Sequence, residues 1–385
     1  MLAYTLAGAD CIDVAADPAV ISTAKAALEI ATRIAERPDQ WGFGRRGFRR
    51  PNAPWLMVSF NDGEDPHFRK AEFTVEDCPP DCVRPCETIC PAQAIDLFGV
   101  SSDRCYGCGR CLPVCPIQHI STRSYVSTPA AIAPLVLQSG VDAIEIHTQV
   151  GRLEDFRRLW EAISPWGSNL KLVAISCPDG EGLIDYLRAL YQLISPLPCP
   201  LIWQTDGRPM SGDIGVGTTR AAVKLGQKVL AAGLPGYVQL AGGTNQHTVF
   251  KLKSLNLLNP NPFCESTAAA ASTPPTPYIS GIAYGSYART LLTPILKQLE
   301  TMELEAIATG CHLVAQMAPP SSQGKATASQ LSPQQTTSQV MESPTSQTGR
   351  LEDFPDLLWQ AVDLANTLVS QLKPFCRKDQ VSSEY

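Results

Sequence analysis

The sequence predicts an α/β protein whose core is a TIM-barrel-like parallel sheet, short of its first strand and interrupted by a compact cysteine-rich insertion. Three observations predict it. Short apolar runs alternate with longer amphipathic stretches, the pattern of strand-then-helix units that builds a parallel sheet. The short runs carry hydrophobic residues at consecutive positions, as strands buried on both faces do. Eight of the fourteen cysteines crowd between Cys78 and Cys115, in the connection after the second run.

Seven strands are read at Cys11–Ala16, Trp55–Phe60, Ala143–His147, Leu170–Ser176, Leu201–Gln204, Tyr237–Leu240 and Ile279–Ala283. Helical spacing fills Pro18–Glu36, Arg152–Ile163, Gly182–Ile194 and Thr218–Ala232; in the third, Leu183, Leu187, Leu190 and Ile194 share one face. Asp17, ahead of Pro18, and Asp179 are the expected caps. Seven strands are one short of a (β/α)8 barrel. Leu2, Leu6 and the small residues before Gly8-Ala9-Asp10 read as the last turns of a helix running straight into the first strand. An earlier strand and helix are therefore expected ahead of Met1; an open seven-stranded sheet is the alternative.

The division that follows assigns 1–65 and 127–318 to the barrel and 66–126 to the insertion, placed in a loop on the face where barrels accept insertions and bind ligands. Residues 319–349 are rich in Ser, Thr, Gln and Pro, with almost no apolar content, and read as a disordered linker. Residues 350–373 resume a helical pattern through Phe354, Leu357, Leu358, Ala361, Leu364, Ala365, Leu368 and Leu372, with Pro355 in the first turn where proline is tolerated. This helix is expected to dock back on the barrel.

Composition narrows the function classes. Of 385 residues 44% are hydrophobic, enough for a sizeable core, and a net charge of −6 argues against general nucleic-acid affinity. No apolar run reaches the roughly 18 residues of a spanning helix. The apolar N-terminus has no basic start, so no secretory signal is read. The scattered Cys11, Cys177, Cys199, Cys264, Cys311 and Cys376 read as small buried hydrophobes of a reduced, cytoplasmic protein rather than a disulfide framework.

The clustered cysteines carry the chemistry. The second half, Cys105-Tyr-Gly-Cys108-Gly-Arg-Cys111-Leu-Pro-Val-Cys115-Pro116, has the C-x2-C-x2-C-x3-C-P spacing of bacterial ferredoxins. The first half, Cys78-Pro-Pro-Asp-Cys82-Val-Arg-Pro-Cys86-Glu-Thr-Ile-Cys90-Pro91, has wider gaps. Cys86, Cys90, Pro91, Gln93 and Ile95 recur in order as Cys111, Cys115, Pro116, Gln118 and Ile120, the duplicated unit of a two-cluster ferredoxin-like module. A cubane needs four thiolates around one small volume, and in this motif the fourth cysteine crosses to the other cluster. Cys105, Cys108 and Cys111 with Cys90 are thus expected to hold one [4Fe-4S] cluster. Cys115 would join three of Cys78, Cys82 and Cys86 in the other, where the stretched gaps allow a three-iron [3Fe-4S] form. Structural zinc also favours four thiolates. Zinc sites, however, usually pair two knuckles across a longer gap and need no proline after each set.

Gly242-Gly243-Thr244-Asn245 follows the penultimate strand and Gly285-Ser286-Tyr287-Ala288-Arg289 the last. In barrels these loops commonly grip a phosphate through backbone N–H groups and a helix N-terminus. That makes Gly242, Gly243, Thr244, Gly285, Ser286 and Arg289 a candidate phosphate site, with flavin mononucleotide (FMN) as the ligand class by fold analogy; tight strand-to-helix turns are the alternative. The glycine-rich Ser211–Thr218 lacks the lysine of a phosphate loop and reads as a loop capped by Thr218 or Thr219. Arg45, Arg46, Arg49 and Arg50, interleaved with Trp41, Phe43 and Phe48, read as a solvated loop or docking patch. His147, Asp206 and Cys177 end strands, where catalytic groups sit in barrels, but no acid–base partner can be assigned to any of them.

The stretch Asp77–Ile95 followed by the second cysteine motif resembles the light-dependent period (LdpA) proteins of cyanobacteria. Leu6–Asp17, Val238–Asn245 and Gly281–Ser286 resemble them too, so the likeness covers nearly the whole chain apart from the linker. Members of that family carry additional sequence ahead of the position matching Met1. The resemblance implies an iron–sulfur protein that senses cellular redox state and conveys light information to the circadian clock. Its implied partners are clock-associated signalling proteins and an electron donor. Two other readings remain open: a flavin-dependent oxidoreductase whose clusters feed FMN at the barrel mouth, and a simple electron carrier.

Overall fold

The computed structural model describes residues 1–42, 52–63, 69–124, 129–208, 217–259, 277–308 and 349–373. A short helix α1 (Leu2–Leu6) leads into β1 (Cys11–Ala15), followed by α2 (Pro18–Glu36) and β2 (Trp55–Asn61). The inserted region holds β3 (Arg69–Glu72), α3 (Pro85–Ile89), β4 (Ile95–Asp96), β5 (Gly99–Val100) and β6 (Ser121–Ser124). Helices and strands then alternate: α4 (Pro129–Leu137), β7 (Ala143–His147), α5 (Leu153–Ile163), β8 (Leu172–Pro178), α6 (Leu183–Ile194), β9 (Leu201–Asp206) and α7 (Thr218–Ala231). The chain continues with β10 (Tyr237–Ala241), α8 (Thr248–Ser254), β11 (Ile279–Ile282), α9 (Ser286–Ala308) and α10 (Pro355–Val369).

All seven strands expected from the sequence form one curled parallel sheet, a half-barrel, in the order β1-β2-β7-β8-β9-β10-β11. Among the described residues β1 and β11 are its two edges, unpaired with each other. Each strand pairs with the next sheet strand in sequence, so the winding never reverses. Right-handed crossovers repeated in one direction put every crossover helix on the same face. That face is the main core: Val14, Val58, Ile144, Val173, Trp203 and Leu240 pack with Phe156, Leu159, Leu187, Leu190 and Val229 of the helices. Among the described residues, the opposite, concave face is left without a helical cover.

Helices attached to the two edge strands meet in a second cluster. Leu2 and Leu6 of α1, Ile34 of α2, Leu292, Ile295 and Leu299 of α9 and Leu357, Leu358 and Ala361 of α10 are buried together. Tyr4 Oη donates to the Ala288 carbonyl at 2.8 Å, tying α1 to the first turn of α9. The helical layer is therefore continuous across a region where the sheet is not.

The cap expected at Asp17 is present: its carboxylate accepts from the backbone N–H groups of Ala19 and Val20 at 2.9 and 3.2 Å. Asp179 does not cap α6. That helix starts only at Leu183 behind a left-handed Gly182 (φ 72°), and Asp179 instead pairs with Lys228 at 2.6 Å. Gly217 (φ 108°) is the cap residue of α7, while Thr218 donates to the Gly243 carbonyl and Thr219 to the Asn245 side chain. Residues 319–348 of the expected linker, the arginines between 45 and 50, and Cys264, Cys311 and Cys376 lie outside the described residues. Cys177 is buried and Cys11 and Cys199 are partly buried, all as free thiols.

Candidate iron–sulfur site

The inserted region starts and ends on one small ladder: β3 pairs antiparallel with β6, Arg69 opposite Ser124 and Glu72 opposite Ser121. A tight hairpin, β4 with β5, lies between the two cysteine runs. The duplicated sequence unit has a duplicated geometry. After each Cys-Pro the chain turns through a glutamine in the left-handed region, Gln93 at φ 48° and Gln118 at φ 53°. This turn aims the next backbone N–H back at a sulfur. Ala94 N–H donates to Cys90 Sγ at 3.2 Å, and His119 N–H to Cys115 Sγ at 3.3 Å. Ile95 and Ile120 then bury their side chains with Cys86 and Cys111 as the small apolar floor of the region.

Two cavities open over this floor. Cys90, Cys105, Cys108 and Cys111 line one, together with Arg110. Cys78, Cys82, Cys86 and Cys115 line the other. Cys115 thus belongs to the cavity of the first run, and Cys90 to that of the second. Gly107 holds the Cys105–Cys108 loop flush against β3: a Cβ there would lie 2.1 Å from the Arg69 carbonyl oxygen, at a φ of 75°. No residue but glycine fits that approach.

Burial pushes the Cys111 thiol up to about 12, with the neighbouring Cys108 and Cys105 sulfurs adding to it. Burial also raises Cys86 and Cys108. At Cys115 burial works in the same direction, but backbone N–H groups of His119, Ile117, Ile120 and Gln118 outweigh it and lower the thiol. Thiols crowded in this way ionise together only when a bound cation compensates them. Among the described residues no three His, Cys, Asp or Glu donors converge tightly enough to hold a single ion. Four thiolates around each cavity are a donor set that an iron–sulfur cluster accepts.

Two ion pairs fasten the inserted region to the α/β body, at Lys70 and at Arg110, and a third, Asp62–Arg152, braces the body beside it. Lys70 of β3, buried to 7% side-chain exposure, meets Asp17 at 2.8 Å beneath the first turn of α2. Asp62, at the exit of β2, meets Arg152 Nε at 2.8 Å, and Arg152 also donates to the Asp62 carbonyl. Arg110, beside Cys111, pairs with Glu303 of α9.

The candidate phosphate residues are placed less favourably. Gly242 (φ 53°) and Gly243 (φ 89°) form a tight turn, but a Cβ on Gly242 would meet the Asp206 carboxylate at 1.6 Å and the Arg208 backbone nitrogen at 2.8 Å. The Asp206 side chain thus packs closely against this turn. Thr244 Oγ1 donates to the Ala283 carbonyl at 2.6 Å, and Arg289 lies 3.1 Å from Ser286 Oγ beside an open Gly285. The two segments are joined by the Thr244 bond, and the helix after Gly242-Gly243 begins only at Thr248.

Sequence reasoning missed the concave face. A polar band crosses it: Asp13, Ser59, Glu145, Ser176, Gln204 and Gln239. Ser59 donates to Asp13 at 2.6 Å, Gln204 Nε2 donates to Glu145, and Gln239 Nε2 donates to Gln204 Oε1 at 2.9 Å. His147 stands 3.3 Å from Glu145, giving it the neighbour that sequence could not name. Desolvation by the surrounding sheet, then the Glu145 charge, raises Asp13 against the pull of Ser59 and His147, although its side chain on β1 reaches solvent. Burial pushes Glu145 up to about 7, with Ser176, Ser59 and Gln204 opposing. Asp206 is raised by burial. Cys177 lies among the side chains of the helix-covered core instead. The available signal was one polar residue inside each apolar strand, as in Ala-Ile-Glu145-Ile-His147.

Comparison with known proteins places this geometry. Residues 78–126, which include all eight clustered cysteines, match the family model described as the LdpA Fe-S cluster-binding domain. Residues 135–371 match the Light dependent period A C-terminal domain. A curated relative, Light dependent period A of Synechococcus elongatus, is 47% identical over 306 residues, covering 78% of this chain and 79% of the relative. No solved structure matches the chain. With both domains matched and nearly half the aligned residues identical, the chain belongs to the light dependent period A family, as a protein with that family's iron–sulfur cluster-binding domain.

Proposed function

We propose that this protein is a redox sensor holding two iron–sulfur clusters, which relays light-dependent redox state to the circadian clock through contacts with clock-associated proteins in the cytoplasm. The observation that carries the reading is the grouping of eight cysteines into two cavities of four. Cys90, Cys105, Cys108 and Cys111 hold one [4Fe-4S] cluster; Cys78, Cys82, Cys86 and Cys115 hold the other, with the [3Fe-4S] form available where the gaps are wide. The clusters supply one-electron chemistry at potentials set by charge, hydrogen bonds and exposure. The N–H groups of Ala94 and His119 are two such hydrogen bonds. The light-dependent role is carried by the name of the relative. On this reading residues 66–126 are a ferredoxin-like module. The body (1–65 and 127–318) is TIM-barrel-like in its one-directional winding, 319–349 is a linker, and the helix within 350–373 docks on the body.

The flavin reading would place an FMN phosphate at the turns of Gly242, Gly243 and Thr244 and of Gly285, Ser286 and Arg289. No helix among the described residues is long and apolar enough to cross a membrane. Iron, sulfide and flavin analysis of anaerobically purified protein tests the proposal. Iron and acid-labile sulfide sufficient for two clusters, without flavin, is the expected result. Stoichiometric flavin, or zinc without sulfide, would overturn it.

A further inference from the structure

Arg110 stands at a junction. Its side chain forms part of the wall of the cavity lined by Cys90, Cys105, Cys108 and Cys111. Its guanidinium leaves the inserted region and pairs with Glu303, far along the chain on α9. Glu303 is 3% exposed, so its charge is shielded from water. The same side chain supports the start of the C-terminal segment. A Cβ on Gly349 would lie 3.6 Å from Glu303 Cγ and 3.2 Å from the Phe354 ring. Phe354 in turn packs on the cluster formed by α1, α2, α9 and α10. Cysteine loop, long helix and C-terminal segment therefore meet at one buried carboxylate.

A carboxylate at that depth depends on its cation, and removing the cation strands a buried charge. Arg110 serves two negative centres at once, Glu303 on one side and a thiolate-ligated cluster on the other. One-electron reduction adds a negative charge on the cluster side only, in surroundings where charges are poorly screened.

We propose that the Arg110–Glu303 pair conveys the oxidation state of the Cys90/Cys105/Cys108/Cys111 cluster to α9 and to the C-terminal segment that begins at Gly349. A reduced low-potential one-electron carrier gives up one electron and is itself oxidised; the cluster gains it, and no bond forms or breaks. The guanidinium is drawn toward the more negative cluster, Glu303 loses its counter-ion, and the contacts of Gly349 and Phe354 with α9 loosen. Arg110 and Glu303 are positioning residues, not ligands. The inference rests on the cluster reading of the four cysteines.

Hydrogen exchange of the full-length, anaerobically prepared holoprotein, oxidised against dithionite-reduced, tests it. Reduction is expected to speed exchange several-fold in Leu296–Glu305 and Gly349–Leu358 and to leave α6 unchanged. The redox difference should vanish in Glu303→Gln, which lies outside the cavity and keeps its clusters, and in Arg110→Gln. The midpoint potential should move negative in Arg110→Gln and positive in Glu303→Gln, and the loss of the redox-dependent exchange difference is the readout a merely structural pair would not give. A wild-type protein whose clusters are reduced by EPR without any change in those segments overturns the coupling. So does a redox difference that persists in Glu303→Gln. Absence of iron and sulfide in the preparation refutes the cluster reading instead, so the two failures are distinguishable.

Discussion

Glu145→Gln is the sharpest test of the concave face. Glu145 is 3% exposed and accepts from Gln204, with His147 and Ser176 close by. Burial lifts its carboxyl from the ordinary 4.5 to about 7, a difference worth about 3 kcal/mol. The folded protein therefore keeps a proton on Glu145 over a range where the unfolded chain has lost it. Stability from this residue is full below about 4.5 and falls as the pH rises through about 7. Glutamine copies the protonated acid in shape, with an oxygen for Gln204 and an N–H where the acid proton sits. Wild type and variant should then be equally stable near pH 4. Near pH 8 the variant should be the more stable by up to about 3 kcal/mol, because only the wild type must hold a buried carboxylate there. The same change removes the second-largest influence raising Asp13, which should fall toward its ordinary value. Urea unfolding followed by tryptophan fluorescence, on anaerobic protein across this pH range, reads the difference. Equal midpoints near pH 8, or a less stable variant there, would refute the idea that the band is held partly protonated.

Three further outcomes concern the inserted region and the body beside it. Cys90→Ser should lose the cluster of the Cys105–Cys111 loop and keep the other, and Cys115→Ser should do the reverse, measured by iron content and EPR; loss of the same cluster in both would break the crossed assignment. Gly107→Ala adds a Cβ 2.1 Å from the Arg69 carbonyl and should lower cluster loading while far-UV circular dichroism stays near wild type. Asp62→Asn removes the carboxylate that Arg152 Nε meets at 2.8 Å, leaving Arg152 its second partner, Asp155, at 3.3 Å. The variant should be less stable than wild type, and an unchanged urea midpoint would show that the pair does not brace β2 against α5.

The sheet was legible because each strand is an apolar run with turn residues at its ends, and α2 was legible to the residue because Asp17-Pro18 marks its start. Helix α4 was not read: Pro129-Ala-Ala-Ile-Ala-Pro-Leu-Val-Leu137 is apolar all round, so no helical period stands out, and Pro134 sits inside it. The cysteines announced their chemistry through spacing alone. What spacing could not reveal is what depends on register. Asp13, Glu145 and Gln239 are isolated in their strands, and they form one band only because Glu145 lies level with Ser59 and Gln204 level with Gln239. The Lys70–Asp17 and Arg110–Glu303 pairs join residues far apart in sequence, and nothing local marks them.

The position of the insertion explains why the sheet survives it. Strands β2 and β7 are parallel neighbours, Met57 level with Ala143, so their connection needs a crossover helix whatever else it contains. Helix α4 packs against the sheet and supplies that crossover, through Ala133, Val136 and Leu137. The cysteine-bearing region is thus added to a β-α-β unit already complete. Its two ends leave and return on the β3–β6 ladder, which fixes its entry but not its orientation. Orientation has to come from contacts beyond the ladder, and the two ion pairs that leave the insertion reach separate parts of the body: the cap of α2 and the far end of α9. The first, at Lys70, ties the ladder to the start of α2. The second, beside Cys111, is the one that lies against a cluster cavity, so it is where a change of charge among the cysteines meets the body directly.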